Sequence, residues 1–457
     1  MGPRTHALLL HLPGPCGQGH PSRKHHRGRR TASAPDGQAA PLRRDRRMGG
    51  RRIRKSLKRP SKGGVIMHRI FRFAIFILSM ALVMPGCMPA QAAGQKIEML
   101  AVNVGKGDAI ILRAGDYACL IDAGKAHARG KIVAAMEYMG LTGFDAVFLT
   151  HTDDDHGEGL EWLSESDIPV GKWYASAMYT GVKEKKHPAV KAAEARNTEV
   201  IWLKRGDSVA MGNSGAVLRV LAPESLNTDK DDNNSLVMML ESPQGRILLT
   251  GDMELVQEAQ LLDSGDDLSC QVLKVPNHAD DDTTSDAFAK AASARLAVIS
   301  TSTEEKPETP DAGVVSRLSA AGSQCIVTQD GGLGIYISLS NGLVTWEYVH
   351  IPEEAKNIAI REVVAGDDIV VLYNESAEAV DLSGWYLFSD KGEEMFTFPG
   401  GCSIGPGDRL IIGTESSEDD DFHLLWPDKK VINKSKTDVI TLYDPYGRAV
   451  DSLSNGY

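Results

Sequence analysis

The stretch AVFLTHTDDDHGEGL, residues 146–160, runs from apolar residues into a loop with two histidines and three aspartates in the six positions 151–156. AVFLT, free of turn formers, reads as a buried strand. A strand that ends in a tight loop can aim several side chains at one point, and imidazole with carboxylate is a donor set for divalent transition metals. His151, Asp153, Asp155 and His156 fit that demand. Taken alone, the loop reads equally well as a solvated acidic entry to the following helix, since acids favour helix starts.

The company of the loop separates the two readings. Residues 94–457 hold seven histidines, and two of them lie here. A third, His278, follows the apolar VLKVP (272–276), and ILLTGD (247–252) ends another strand on Asp252. Imidazoles and carboxylates thus recur at strand ends. Around them, runs such as KIEMLAVNVG (96–105), DAIILRAG (108–115) and YACLIDAG (117–124) read as strands closed by glycine turns. Helical patterns follow in KIVAAMEYMG (131–140), GEGLEWLSES (157–166), HPAVKAAEARN (187–197), MELVQEAQLL (253–262), DAFAKAASA (286–294) and AGVVSRLSAAG (312–322). Strand groups and helices in both halves predict two sheets with helices outside.

Charge divides the chain near its start. Residues 1–93 carry 19 of the 50 Lys and Arg but only Asp36 and Asp45 of the acids, leaving 31 basic and 59 acidic residues beyond, a net charge of −28. Such a body repels polyanions unless a local patch or bound metal offsets it. Met67–Ala93 has a short basic start, an apolar stretch Phe73–Met84 and small residues near Ala90-Gln91-Ala92, the pattern of a secretory signal peptide. It places the mature protein outside the cytoplasm, secreted or at the cell surface, with Cys87 available for a lipoprotein anchor and an uncleaved membrane anchor as the other attachment. Residues 1–66 then read as sequence upstream of a start at Met67, or as a disordered basic arm. The remaining organisation is a domain over 94–349, a linker over 350–355 and a domain over 356–457. Short, evenly spaced strands with turn residues between them make the last an all-β sandwich. Cys119, Cys270, Cys325 and Cys402 form no CxxC pair.

HxDxDH at 151–156 resembles the signature of the metallo-β-lactamase fold in the version where the second histidine is aspartate, as in the soluble domain of ComEC-type competence proteins. NVGKGDAIIL (103–112), LIDAG (120–124), NNSLVMML (233–240), LLTGD (248–252), VLKVPNH (272–278) and the late RLSAAG…CIVTQDGGLGIYI resemble that family's segments in order, over about residues 96–340. VVLYN, DLSGWYLFSD, FTFPGG, IGPGD and LYDPYGRAVD resemble the lamin-tail domain over about 356–457. The resemblance implies an αββα metallo-β-lactamase sandwich of class α/β, joined to an all-β immunoglobulin-like sandwich. It gives His151 and Asp153 to one metal, Asp155 and His156 to a second, Asp252 as bridging carboxylate and His278 as late ligand, with Asp155, Asp252 and His278 catalytic. The implied cofactors are two divalent metal ions, zinc with manganese as the alternative, which make water a nucleophile near neutral pH.

Two departures stand out. Relatives write HHGS where this chain has Asn277-His278-Ala279-Asp280, and the superfamily places another histidine where only His187 is available. His187, in the basic KEKKHP, reads as a surface residue. Asn233, Asn234 or Asp232 are then the residues to line the first metal site, and Lys106 is placed to meet a substrate anion. Asp108 and Asp122 resemble residues that support ligand histidines, Lys274 reads as half-buried, Asp154 as outward-facing, and Asp280-Asp281-Asp282 as a solvated helix entry. Trp385, Tyr373 and Phe398 read as sandwich core. The expected activity is hydrolysis of a phosphodiester, with DNA the leading substrate. The alternatives are hydrolysis of a small ester, lactone or lactam, or a decayed catalytic domain that acts as a surface-binding protein through its lamin tail.

Overall fold

Strand β1 (Ile97–Val102) shows why the first domain folds in four layers: Met99 and Ala101 face one apolar core while Leu100 and Val102 face another. A strand buried on both sides reads as a continuous apolar run, and side-chain alternation sends its neighbours to opposite faces. The structure, a computed structural model, describes residues 95–351, 357–417 and 422–456, all within one unit of the chain that spans 83–457. The basic arm, the signal-peptide pattern with Cys87 and most of the linker lie outside the described residues.

The first sheet continues with β2 (Ile110–Ala114), β3 (Tyr117–Ile121), β4 (Ala146–Leu149), β5 (Trp173–Ser176) and β6 (Val200–Leu203), and helices α1 (Arg129–Tyr138), α2 (Asp154–Gly157), α3 (Gly159–Glu165) and α4 (Pro188–Ala195) are interleaved. The second sheet contains β7 (Ser208–Ala210), β8 (Val217–Ala222), β9 (Val237–Ser242), β10 (Gly245–Leu249), β11 (Val272–Lys274), β12 (Leu296–Ile299) and β13 (Gln324–Val327), with α5 (Leu255–Asp263), α6 (Asp286–Ala292) and α7 (Ala312–Ala320). Strands β14 (Gly334–Ser340) and β15 (Leu343–Val349) return to the first sheet, giving the orders β15-β14-β1-β2-β3-β4-β5-β6 and β13-β12-β11-β10-β9-β8-β7. β5 and β15 were not legible as strands in the sequence. One is only four residues long, and the other alternates exposed with partly buried residues.

Between the sheets, Met99, Leu112 and Phe148 meet Leu218, Met238, Leu240 and Val298. Outside the first sheet, Ile132, Leu160 and Leu163 cover Leu120 and Val147; outside the second, Phe288, Val314 and Leu318 cover Leu248 and Leu273. This is an αββα sandwich. β3, β4 and β5 run parallel, as do β10, β11 and β12, so the carboxyl ends of β4, β10 and β11 open on loops at which ligands gather in such sheets.

The C-terminal domain is all β. β16 (Ile358–Val364), β17 (Ile369–Asn374), β22 (Arg409–Thr414) and β23 (Leu424–Trp426) form one sheet. β18 (Val380–Asp381) pairs with β21 (Ser403–Ile404), and β19 (Tyr386–Ser389), β20 (Met395–Thr397), β24 (Val439–Tyr443) and β25 (Ala449–Ser454) form the facing sheet. Trp385, Phe398 and Trp426 fill the core. Tyr373 does not join them: it is half-buried, with the Arg361 guanidinium 5.5 Å from its ring centre.

The two domains touch at the start of α1. Tyr386 donates its hydroxyl to the His127 carbonyl at 2.7 Å, Arg129 lies over the Tyr386 ring at 4.1 Å, and the His127 ring stacks on Tyr443. Gly130 meets the backbone of Gly447, where a β-carbon would collide.

Candidate metal centre

The loop after β4 is held from below by Asp122, which follows β3 with the left-handed φ of 58°. Its Oδ1 accepts from Thr150 N and its Oδ2 from Thr150 Oγ1, both at 2.8 Å, and the same Oδ2 lies 2.8 Å from His156 Nδ1. That contact holds the imidazole through Nδ1 and aims Nε2 into the site, 3.2 Å from Asp252 Oδ1. His278 is set the same way, its Nδ1 donating to the Ser300 carbonyl at 2.7 Å. Asn277, His278 and Ala279 all have left-handed backbone, with φ of 38°, 54° and 63°. Strain of this kind costs about 1–3 kcal/mol per residue and persists where the surroundings enforce it. Here it swings His278 inward after β11.

Two groups of donors result. In the first, Asp155, His156, Asp252 and His278 are buried together with ligand atoms within 4.8 Å of one another. His278 Nε2 lies 2.9 Å from Asp252 Oδ2 and 3.4 Å from Asp155 Oδ2, and His156 Nε2 lies 3.4 Å from His278 Nε2. In the second, His151 Nε2 lies 3.8 Å from Asp232 Oδ1 and 4.0 Å from Asp153 Oδ2. The groups adjoin, with the rings of His151 and His156 4.2 Å apart.

The residues fit divalent cations. His151 Nε2 is fully buried and makes no hydrogen bond, and it points at two carboxylates that lie beyond hydrogen-bond reach. The Nε2 atoms of His156 and His278 face each other with both Nδ1 positions engaged elsewhere. Burial together with Asp153 and Asp252 pushes the Asp232 carboxyl up to about 7, the mark of negative charge gathered without a counter-ion. Burial alone would raise Asp252 as well, but His156, His278 and Lys274 outweigh it and hold that carboxylate well below its usual range.

Lys274 is not half-buried, as its strand pattern suggested, but wholly enclosed. Its ammonium lies 2.5 Å from Asp108 Oδ2, 3.0 Å from the Gly251 carbonyl and 3.5 Å from Asp252 Oδ1. A lysine can stay charged there only because carboxylates surround it. Lys106 pairs through Nζ with Asp155 and, with Lys125, borders an open cavity of about 760 Å³ over Asp153, Asp155 and Asp231. Gly107 lies against the Asp155 backbone, where a β-carbon would collide, which is why this turn carries glycine.

Other sequence readings are corrected by the packing. Asn233 donates to Glu254 at 2.7 Å and Asn234 to the Asn227 carbonyl at 2.9 Å, so neither side chain turns to the donor groups. Their neighbour Asp232 does. His187 is no surface residue: it is buried at the start of α4, with its ring 4.7 Å from Tyr179 and 5.1 Å from Trp202. The basic residues before it misled the reading. Asn277 removes nothing from the four-residue group, because His278 alone supplies its late imidazole. Asp154 is exposed on α2, Asp280 pairs with Lys306, Asp281 is exposed, and Asp282 lies 3.4 Å from Lys230.

Comparison with known proteins agrees with both halves of the architecture. Residues 102–303 match the family described as the metallo-beta-lactamase superfamily, and residues 352–456 match the lamin tail domain. ComE operon protein 3 of Bacillus subtilis (strain 168) is 26% identical over 197 residues, 42% of this chain and 24% of that protein. Competence protein ComA of Neisseria gonorrhoeae is 26% identical over 232 residues, 50% of this chain and 30% of that protein. The matches thus span about a quarter to a third of those relatives' own length. Among solved structures, the metallo-beta-lactamase fold protein YhfI from Bacillus subtilis is similar at a TM-score of 0.35 and 13% identity, covering 55% of this chain and all of that one. Zn(2+)-bound PqqB from Methylobacterium extorquens is similar at 0.34 and 12%, covering 53% and 99%.

Proposed function

We propose that this chain, a metallo-beta-lactamase domain followed by a lamin tail domain, is an extracytoplasmic two-metal hydrolase that cleaves phosphodiester bonds, with nucleic acid as the leading substrate class. The observation that carries the reading is that Lys106 and Lys125 line an open cavity together with Asp155 and Asp153, one residue from each of the two donor groups. Asp155, His156, Asp252 and His278 would hold one ion, and His151 with Asp153 the other. When bound, such a pair supplies a water acidified toward neutral pH and screens the charge that builds on a phosphoryl group.

The protein's own groups do the rest. Asp122 and the Ser300 carbonyl orient the two imidazoles, and Lys274 steadies Asp252. Lys106 is tied to Asp155. Lys106 also lines the cavity, where its ammonium could meet a substrate oxygen if a bound cation took up Asp155. Because Asp153, Asp154, Asp155, Asp229 and Asp231 line the cavity, an anionic substrate needs the cations in place before it can enter. One of the two relatives, ComA, is a competence protein by name, and the likeness in its matched segment supports the nucleic-acid reading. The signal-peptide pattern at Met67–Ala93 supports export, and Cys87 supports attachment as a lipoprotein. No helix among the described residues is long and apolar enough to cross a membrane.

The test is turnover of plasmid DNA, bis-p-nitrophenyl phosphate and nitrocefin by protein loaded with Zn²⁺ or Mn²⁺. Cleavage of either phosphodiester, lost in Asp252→Ala, is expected. Hydrolysis of nitrocefin with both phosphodiesters untouched would overturn the reading in favour of lactam or ester chemistry.

A further inference from the structure

Between His156 and Asp252 the chain has a single histidine, His187, and that ring is enclosed by Tyr179 and Trp202. His151 Nε2 nevertheless points, buried and without a hydrogen bond, at a carboxylate from a distant loop. We propose that Asp232 is the third protein ligand of the first metal site, in place of a histidine, and that the two sites are therefore chemically unlike. The inference rests on the two-metal reading above and adds to it the ligand and the selectivity of one site.

The loop around Asp232 is built to present it. Its neighbour Asp231 is saturated: Oδ2 accepts from Thr152 N at 2.9 Å and Thr152 Oγ1 at 2.6 Å, and Oδ1 from Thr180 N at 2.6 Å and Asn234 Nδ2 at 3.1 Å. These bonds clamp the 227–234 segment onto the metal loop. Asn233 is held by Glu254, which also pairs with Lys230. Asp232 lies in the same short turn, Asp232–Asn234, and its carboxylate accepts no hydrogen bond among the described residues. With its neighbours committed, Asp232 is the residue of this segment whose carboxylate faces His151, beside Asp153 from the loop after β4. Two ligand atoms each about 2.1 Å from one ion can lie no more than about 4.2 Å apart. The separations of 3.8 Å and 4.0 Å from His151 Nε2 fall within that reach.

The first site then offers one imidazole and two carboxylates, and the second two imidazoles and two carboxylates. Imidazole favours zinc, whereas carboxylate suits harder ions such as Mn²⁺ and Mg²⁺. Zinc outcompetes manganese at most nitrogen and oxygen sites, but the margin narrows as imidazole is replaced by carboxylate. At one zinc per chain, the zinc occupies the site around His278, and Mn²⁺ enters the site at Asp232.

Chelator-stripped protein titrated with Zn²⁺ against a chromophoric chelator should show two affinities at least tenfold apart. Protein carrying one equivalent of zinc should bind one Mn²⁺, read by electron paramagnetic resonance. Asp232→Asn should weaken that Mn²⁺ at least tenfold and leave the tight zinc within twofold. Asp232→His should tighten the weaker zinc at least tenfold and weaken Mn²⁺. Circular dichroism of both one-zinc variants checks their fold. Equal zinc affinities, or a weaker site within twofold of wild type in both variants, would overturn the role of Asp232. Absence of any bound metal in the wild type would overturn the two-metal reading itself.

Discussion

Asp122 Oδ2 lies 2.8 Å from His156 Nδ1, with both side chains fully buried, and the same carboxylate receives two hydrogen bonds from Thr150. One group thus shapes the loop and orients His156, a proposed ligand, within it. Loss of such a partner commonly costs 10- to 100-fold in metal affinity. Asp122→Asn keeps the size but weakens the hold on His156, so the proposed zinc site around His278 should weaken by about that factor while the far-ultraviolet circular dichroism stays native. Zinc affinity within twofold of wild type would show that His156 needs no orienting partner.

The buried ammonium of Lys274 gives a stability test. Lys274→Met leaves Asp108 and Asp252 enclosed with their shared cation gone. Breaking a buried pair from one side costs about 3–5 kcal/mol. The double variant Lys274→Met with Asp108→Asn removes one stranded charge and should recover part of that loss. Urea unfolding of metal-free protein measures both. If the double variant is no more stable than the single one, Lys274 and Asp108 are not coupled.

Acid should destabilise the fold through two histidines outside the donor groups. Burial pulls His187 down to about 4, and burial likewise pulls His127 to about 4 against the opposing charge of Glu305. Unfolded, each titrates near 6.5. As pH falls below about 6.5 the unfolded chain takes up protons that the folded one refuses, so stability drops until about pH 4. Each histidine contributes up to about 3 kcal/mol over that window. His187→Phe, filling the space beside Tyr179 and Trp202, should therefore lose less stability than wild type between pH 7 and 4.5 in urea titrations. An unchanged pH dependence would sink the assignment.

What could be read beforehand follows from how local each signal is. The 151–156 loop, LLTGD and VLKVPNH are short strand ends that carry their donors locally, so their order along the chain was enough to suggest one site. Asp232 was one of three neighbouring candidates, and only the hydrogen bonds that tie Asp231 to Thr152, Asn233 to Glu254 and Asn234 to Asn227 single it out. The burial of Lys274 depends on Asp108, far away in the sequence, and a strand pattern alone cannot show a distant counter-charge. His187 was misread because the lysines before it are exposed while it is not. The contact between the domains had no sequence signal, because it joins the start of a helix to glycine and tyrosine positions of a sandwich.

That contact makes the last prediction. Gly130 opens α1 against the backbone of Gly447, beside the Tyr386 hydrogen bond to the His127 carbonyl and the Arg129 guanidinium over the Tyr386 ring. A valine at Gly130 has no room there and must push the sandwich away from the αββα domain. Tyr386→Phe removes only the hydroxyl, a change of about 0.5–1.5 kcal/mol. Gly130→Val should turn a single calorimetric unfolding transition into two and enlarge the radius of gyration by X-ray scattering, whereas Tyr386→Phe should shift the melting temperature slightly and keep one transition. If Gly130→Val unfolds in one step at the wild-type radius, the domains are joined by the chain alone and this interface does not couple them.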